Sequence, residues 1–403
     1  MSWDRGTRPR LLTIGDIEVP FEVEPHHFLP IGSTGTGKTI TIDEMLCTVI
    51  DRGDRVIVCD PNGHHLSKFY RDGDAVMNAF DRRSLGWSIF NEVRKDFDCD
   101  RLARSIVPEG RGPDAQWHHY AQVLLSEVLR ALLMKGECTT EALMHFAGTA
   151  TRTELEQLLA GSPAMGLFDT DAARALASTR FILTTHLNAH KYVPQGAFSL
   201  RDWLEAGTGN LYLTWREDMH AALKPLITTW VEILANAMLS LTPHSSRRLW
   251  LVLDELGALG RLGSLEAVLT RGRKYGVCVV AGLQSTAQLD RLYGRDSSVV
   301  LRSCFRNTLV LGVARSDPDT ADMLSRSLGE QEVEREQLSV SEGPAGITHS
   351  VTSVRSFERV VMSSELNELP DLTGFLALAG ERPVAVIQLT PYELPKITAG
   401  IEE

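Results

Sequence analysis

The sequence lacks the features that mark a membrane-spanning, secreted or zinc-stabilised protein. No stretch approaches the roughly 18 to 20 consecutive apolar residues that a membrane-spanning helix needs, and residues 1–10 lack the apolar segment of a signal peptide. The six cysteines are scattered, without a CxxC pair or a histidine at metal-ligand spacing. We therefore expect a soluble chain with reduced thiols and no structural zinc ion.

The chain also lacks an excess of basic residues, since its net charge is -11. This charge argues against a protein that coats nucleic acid with its whole surface, but it permits local basic patches or a basic channel. A length of 403 residues suits one large domain with an insertion, or two domains.

Residues 32–39 read GSTGTGKT, which has the form GxxxxGK[ST] of a phosphate-binding loop. An apolar run (residues 28–31) precedes the motif and a helical pattern (residues 40–50) follows it, as a strand-loop-helix unit requires. Glycines let the loop point its backbone N–H groups at phosphate oxygens. Lys38 is predicted to contact the β- and γ-phosphates of ATP, and Thr39 to ligate Mg²⁺. The predicted nucleotide-binding residues of the loop are Gly32, Ser33, Thr34, Gly35, Thr36, Gly37, Lys38 and Thr39.

Two acids follow a second apolar run, at residues 249–253. A strand that ends in paired acids is typical of a Walker B element. Asp254 is therefore predicted to lie near the nucleotide and the Mg²⁺ ion, and Glu255 to orient or deprotonate the attacking water. The alternative is an acidic strand end with no catalytic role, against which the phosphate loop argues.

Another buried strand pattern ends at Gln284, and the stretch just before that strand (residues 271–274) is the sharpest cationic cluster of the chain. Gln284 is interpreted as a sensor of the γ-phosphate, with a capping glutamine as the alternative. An arginine of the cluster could stabilise phosphoryl transfer in a neighbouring subunit. The alternative is a solvated helix end that interacts favourably with the helix dipole.

The distribution of strand and helix patterns predicts an α/β protein with a parallel sheet. Between residues 82 and 195, strand patterns give way to helical periodicity. We predict a nucleotide-binding domain in two parts, residues 1–81 and 196–403, interrupted by an all-α domain, residues 82–195. Residues 331–358 are expected to form a loop or hairpin, and residues 374–389 a terminal hairpin.

Two other groups of residues leave alternatives open. His64 and His65 follow a strand without an evident carboxylate or cysteine partner, so we interpret them as loop residues rather than metal ligands. Trp117 lies at a helix start and could stack on a nucleic-acid base, although such aromatic residues more often pack helices together.

Six segments together resemble the conjugative coupling proteins of type IV secretion. They are GSTGTGKT at 32–39, RGDRVIVCDPNG at 52–63, GWSIFNEV at 86–93, LYLTWRED at 211–218, RRLWLVLDEL at 247–256 and VVAGLQS at 279–285. The resemblance covers nearly the whole chain. It implies a RecA-like P-loop NTPase domain with a mainly parallel sheet, interrupted by an all-α domain.

The resemblance also implies an activity, which is hydrolysis of ATP with Mg²⁺, stimulated by DNA, in a homo-hexamer around a central channel. Lys38, Asp254, Glu255 and Gln284 match the family's site residues, and Arg273 matches an arginine thought to act on the neighbouring subunit. Such a motor pumps single-stranded DNA from a relaxase complex into a secretion channel at the cytoplasmic face of the bacterial inner membrane. Its implied partners are single- and double-stranded DNA without sequence preference, relaxosome proteins, and type IV secretion ATPases and channel proteins.

Members of the family usually begin with membrane-spanning helices, which this sequence does not contain. Whether the chain forms hexamers or stays a monomer without that anchor is therefore open. One alternative function is a nucleotide-binding scaffold that recruits secreted proteins and has little motor activity. Another is a different hexameric motor, such as a chromosome translocase or a protein-secretion ATPase. A small-molecule kinase fits less well, because a large insertion and paired acids do not suit a compact phosphoryl-transfer lid.

Overall fold

A nine-stranded, mostly parallel sheet forms the centre of the molecule. The computed structural model describes residues 10–169, 173–343, 346–391 and 393–402. In these ranges the strands are β1 (Leu12–Ile14), β2 (Ile17–Val19), β3 (Phe28–Ile31), β4 (Arg55–Pro61), β5 (Ala75–Met77), β6 (Leu211–Trp215), β7 (Leu249–Leu253), β8 (Val277–Ala281), β9 (Asn307–Val310), β10 (Glu330–Gly343), β11 (Gly346–Arg359), β12 (Thr373–Ala377) and β13 (Ala385–Gln388).

The order of strands across the main sheet is β13-β12-β9-β3-β8-β7-β4-β6-β5. Strand β12 runs antiparallel to both of its neighbours, and every other neighbouring pair is parallel. The α/β class expected from the sequence is therefore confirmed. Because β3, β8, β7 and β4 lie side by side and parallel, the residues that follow them meet at one edge of the sheet, which we call the carboxyl edge.

The central strands are apolar along their whole length because helices cover both faces of the sheet. Successive residues of a strand point to opposite faces. Thus Val56 and Val58 of β4 belong to the core on one side, whereas Ile57 and Cys59 belong to the core on the other.

Helices flank the sheet and fill most of the region between β5 and β6. In the described ranges they are α1 (Lys38–Asp51), α2 (Leu66–Phe69), α3 (Phe97–Ile106), α4 (Ala115–Lys135), α5 (Thr140–Met144), α6 (Arg152–Leu158), α7 (Ala173–Leu187), α8 (Leu200–Ala206), α9 (His220–Met238), α10 (Leu265–Arg271), α11 (Thr286–Tyr293), α12 (Arg295–Cys304), α13 (Pro318–Ser327) and α14 (Ser363–Glu368). None of these helices combines the length and the apolar content that crossing a bilayer requires.

In the described part of residues 82–195 the regular elements are helices, joined by turns and irregular chain, with isolated bridges to neighbouring residues. The boundaries of the three predicted domain segments stay a prediction. Trp117, near the start of α4, contacts Tyr120 of the same helix, with 5.8 Å between ring centroids. Its suggested role in base stacking also stays a prediction.

Two parts of the chain follow the sequence patterns less directly. The described residues of the segment 331–358, which are 331–343 and 346–358, lie in the antiparallel pair β10 and β11, each 14 residues long. The hairpin expectation is therefore confirmed for these residues. The three-residue strand β5 and the helices α11 and α12 had no counterpart in our sequence interpretation. Strand β5 is too short for a pattern of alternation to mark it.

A buried carboxylate joins three elements at the amino edge of the sheet. Glu24, just before β3, accepts hydrogen bonds from Arg52 Nη1 at 2.7 Å and from Arg248 Nε at 3.0 Å. Arg52 follows α1 and Arg248 precedes β7, and the three side chains are at most 4% exposed. Burial raises the pKa of Glu24, although both arginines act to lower it. The network therefore ties together the amino ends of the strands that carry the phosphate loop and the paired acids.

We expect Arg248→Met to lower the free energy of unfolding by about 3–5 kcal/mol, because it removes one partner of a buried charge network. The matched control is Arg71→Met, which breaks an ion pair with Asp51 whose side chains are 55% and 57% exposed. That change should cost less than about 1 kcal/mol. Chemical denaturation of both variants checks the prediction, and an equal effect of the two would contradict it.

Candidate nucleotide-binding site

The predicted phosphate loop lies at the carboxyl edge, between β3 and α1, and neighbouring strand ends hold it in place. The backbone N–H of Gly32 donates to Leu283 O at 3.1 Å, and that of Ser33 donates to Gly312 O at 2.8 Å. Gly37 has a φ of 122°, which a residue with a side chain rarely adopts. The spacing of glycines in the motif is thus a requirement of the backbone, and the loop is anchored to the chain that follows β8 and β9.

The first two residues of α1 point into the site. Lys38 is 8% exposed, and its Nζ donates to the carbonyl oxygens of Gly32 at 2.7 Å and Ser33 at 2.9 Å. Burial lowers the pKa of Lys38, while Glu255 and Asp254 act to raise it. A buried ammonium group inside a ring of backbone amides is suited to binding phosphate oxygens.

The two predicted Mg²⁺ ligands lie in contact, although they are 215 positions apart in the chain. The Thr39 hydroxyl donates to Asp254 Oδ1 at 3.2 Å. One hydroxyl and one carboxylate oxygen beside a phosphate loop are the ligands that Mg²⁺ uses in such sites. The residues present therefore fit the ion.

Glu255 follows Asp254, and only one of its two carboxylate oxygens accepts a hydrogen bond from the described residues. Its Oε2 accepts a hydrogen bond from Gln284 Nε2 at 2.8 Å, and its Oε1 is buried without a hydrogen bond from the described residues. Burial raises the pKa of Glu255, against the lowering effects of Gln284 and Lys38. An oriented carboxylate with one free oxygen is suited to accept a proton from water.

A second glutamine, which our sequence analysis missed, supports the first. The Oε1 atom of Gln288, in the first turn of α11, accepts a hydrogen bond from the backbone N–H of Gln284 at 3.1 Å. Its amide is also one of the groups that act to lower the pKa of Glu255. Gln284 thus holds Oε2 of Glu255, and Gln288 holds the backbone of Gln284.

His65 lies in the turn before α2, as expected of a loop residue, but it has carboxylate partners that our sequence analysis did not find. The ring is fully buried, with Nδ1 at 2.8 Å from Asp43 Oδ1 and Nε2 at 3.8 Å from Asp254 Oδ2. Asp60, at the end of β4, accepts a hydrogen bond from the His65 backbone N–H at 3.1 Å and so fixes the turn. Burial alone would lower the pKa of His65, but Asp254 and Asp43 raise it to about 10.

The charged imidazole acts in turn on Asp254. Burial would raise the pKa of Asp254, but His65 and Thr39 hold it below its ordinary value. The carboxylate is therefore ionised, as a Mg²⁺ ligand must be. His65 is a positioning residue, because it acts through Asp254 and Asp43 rather than by contact with the phosphate loop or Lys38.

Asp43, His64 and His65 have ligand atoms within 4.8 Å of one another, a spacing that could hold a metal ion. However, the ammonium group of Lys68 already lies there, 2.6 Å from Asp43 Oδ2 and 2.8 Å from His64 Nε2. A fixed cation takes the place that a metal ion would need, so we assign no metal to these residues.

Arg273 is the one predicted site residue that the fold does not bring to this edge. It precedes β8, beyond the amino end of the strand. It also lies near His26, just before β3, because burial first and then the charge of Arg273 lower the pKa of His26. The five residues of β8 span about 17 Å. Arg273 therefore cannot act on the phosphate loop of its own chain.

The carboxyl edge thus brings together Lys38, Thr39, Asp254, Glu255 and Gln284, with Ser33, Thr34, Gly35, Thr36 and Gly37 in the loop beside them. The residues missed were His65, Asp43 and Gln288. Each had a usable signal in its position: His65 follows the end of β4, Asp43 lies one helical turn after Thr39, and Gln288 lies one turn after Gln284.

Comparison with known proteins identifies a protein family that matches nearly the whole chain. Residues 11–390 match the family model described as "Type IV secretion-system coupling protein DNA-binding domain". The coupling protein TraD of Escherichia coli K12 is 28% identical, over 96% of this chain and 55% of TraD. The chain spans about half of the length of this relative.

Solved structures of the conjugative coupling protein TrwB are also similar. An unbound form matches with a TM-score of 0.92 and 42% identity, covering 99% of this chain and 93% of that chain. A TrwB complex with ADP and Mg²⁺ matches with a TM-score of 0.90 and 43% identity over the same shares.

We expect His65→Asn to weaken Mg²⁺-dependent nucleotide binding about 10- to 100-fold, as loss of a group that orients a metal ligand does. The control is His64→Asn, because the His64 side chain is 43% exposed and does not reach Asp254. Titration of a fluorescent ADP with and without Mg²⁺ measures the effect. If both variants bind the Mg²⁺ complex like the unmodified chain, the positioning role of His65 is wrong.

Proposed function

The chain belongs to the type IV secretion-system coupling protein family, and from this membership we propose that it hydrolyses ATP with Mg²⁺ in order to move DNA. The observation that supports the proposal most is the geometry of the carboxyl edge. There the phosphate-loop lysine, the Thr39–Asp254 contact and a half-free Glu255 lie together. Relatives in the family include TrwB, of which a complex with ADP and Mg²⁺ is known.

In this proposal each residue of the edge has one task. The backbone N–H groups of the loop and Lys38 bind the phosphates of ATP, for which Lys38 exchanges its two carbonyl acceptors for phosphate oxygens. Thr39 and Asp254 would hold Mg²⁺, which would supply positive charge beside the phosphates. His65 keeps Asp254 charged and fixed in place.

Glu255 is the proposed base. Its free Oε1 orients the attacking water and takes its proton, while Gln284 holds Oε2. Gln284 is also the proposed sensor of the γ-phosphate, and its hydrogen bond to the proposed base supports this role. A pure recruitment scaffold has no use for a buried, oriented carboxylate at this position, so the geometry favours hydrolysis over that alternative.

Arg273 completes the site from a neighbouring subunit in the proposed assembly. Its position at the amino edge excludes action within its own chain, whereas a ring brings the amino edge of one copy to the carboxyl edge of the next. Such head-to-tail contacts close into a ring when the rotation between copies closes. A homo-hexamer around a channel is the assembly that the family membership suggests.

DNA is the proposed substrate of the motor, as the description of the family model indicates. We infer that the chain grips DNA phosphates without sequence preference and passes a single strand from a relaxase complex to a secretion channel at the inner membrane. Relaxosome proteins and the ATPases and channel proteins of the secretion system are its proposed partners. Electrostatic binding of this kind weakens steeply with salt.

The test is steady-state ATP hydrolysis with Mg²⁺ and single-stranded DNA. Glu255→Gln should lower kcat about 10²- to 10⁴-fold, because it removes the proton acceptor, while ATP is still bound. Lys38→Ala should abolish turnover, and so should chelation of Mg²⁺. The control is Glu266→Gln, an exposed glutamate of α10, which should leave turnover unchanged. Turnover by Glu255→Gln at the unmodified rate would refute the assigned base.

A further inference from the structure

A large cavity lies away from the phosphate loop, where the helical segment meets the sheet domain. Its volume is about 730 Å³, and α3, α9 and α10 provide most of its walls. One rim of the cavity is formed by the segment from Gly260 to Ser264, which follows Glu255 closely in the sequence. The Gly260 backbone N–H donates to Thr228 Oγ1 of α9 at 2.9 Å, which fixes this rim against the opposite wall. The cavity therefore adjoins the element that carries the proposed base.

The lining carries more basic than acidic side chains. Arg104, Lys224, Arg261 and Arg271 line the cavity, and none of them forms an ion pair with any residue that the structure describes. Lys224 is half-buried, and burial together with Arg291 lowers its pKa. The Nε atom of Arg261 is buried without a hydrogen-bond partner in the described ranges. Unpaired cations at a cavity are expected to bind an anion.

Three acids also line the cavity. Asp100 pairs with Arg130, outside the cavity, at 3.0 Å. Glu232 accepts a hydrogen bond from the Ser264 hydroxyl at 2.7 Å, and burial raises its pKa while Arg261 is one of the groups that act to lower it. Glu109 is the remaining acid of the lining. The cations at the cavity thus outnumber the acids that are left to balance them, in a chain whose net charge is -11.

An exposed aromatic ring accompanies the cations. Phe97, the first residue of α3, lines the cavity and is 55% exposed. The guanidinium carbon of Arg101 lies 5.9 Å from the centre of its ring. An exposed ring beside a basic groove is the combination that binds single-stranded nucleic acid, since phosphates meet the cations and a base stacks on the ring.

We propose that this cavity binds single-stranded DNA, with Phe97 stacked on a base and Arg104, Lys224 and Arg261 on phosphates. A duplex keeps its bases stacked on one another, so stacking on Phe97 selects a single strand. The inference rests on the proposed function and adds the place where the strand is held. The rim shared with the Glu255 segment links that place to hydrolysis.

The experiment measures the binding of a fluorescent oligothymidine and of a duplex to the full chain by anisotropy at several salt concentrations. Phe97→Ala should raise the Kd for the single strand about 5- to 150-fold, the loss expected for one stacked base. Phe97→Tyr, which keeps a ring, should bind like the unmodified chain. The control Phe181→Ala removes a ring on α7 that is 76% exposed and should change nothing.

The double change Arg104→Gln with Lys224→Gln tests the phosphate contacts. It should make the dependence of log K on log salt less steep by about 1.4, since each phosphate contact to a single strand contributes about 0.7. The control is Arg152→Gln with Arg326→Gln, two arginines that already pair with acids. Melting temperatures show whether each variant is folded, and the double change at Arg104 and Lys224 keeps the test valid if Phe97→Ala is not.

Three results would overturn the inference, and they differ in what else they affect. An unmodified chain that binds no DNA contradicts the proposed function and the cavity assignment together. Cavity variants that bind the single strand like the unmodified chain contradict the cavity assignment alone. If Phe97→Ala reduces self-association and leaves DNA affinity unchanged, the cavity is a contact between copies of the chain.

Discussion

The whole site depends on one contact between two motifs, the hydrogen bond from the Thr39 hydroxyl to Asp254. Two adjacent half-buried carboxylates and a buried ammonium group lie at the same edge, and charges removed from water are tolerated only where partners surround them. The fold supplies these partners: loop carbonyls for Lys38, His65 for Asp254, and Gln284 for Glu255. The Oε1 atom of Glu255 is left without a partner among the described residues, and it is the atom that we propose as the proton acceptor.

The two edges of the sheet have complementary roles. At the carboxyl edge the strand ends present the site, while at the amino edge the Glu24 network locks the opposite ends of the same elements. Arg273 also lies at the amino edge, and there it has no access to the site of its own chain. Each copy therefore carries both parts of the proposed active site. In the proposed assembly, the phosphate loop of one copy would work with Arg273 of its neighbour.

The sequence predicted the elements of the site well, because each is local. The strand-loop-helix pattern around Lys38 and the apolar run before Asp254 specify their positions at strand ends, and parallel strands bring those ends together. The contacts of His65 were missed for the opposite reason. Its partners Asp43 and Asp254 are 22 and 189 positions away, and only the strand order, with β4 beside β7, makes them neighbours. The cavity between α3 and α9 was beyond prediction on the same grounds, since packing between helices far apart in the chain leaves no local pattern.

The most direct test of the shared-site account mixes two inactive variants, Lys38→Ala and Arg273→Ala. The Lys38→Ala variant keeps Arg273, and the Arg273→Ala variant keeps the intact phosphate loop. In rings mixed randomly from equal amounts, about a quarter of the contacts between copies would join an intact loop to an intact arginine. ATP turnover with single-stranded DNA should then reappear on mixing and grow with total protein concentration. Turnover by Arg273→Ala alone at the unmodified rate, or a mixture as inactive as its components, would contradict the account.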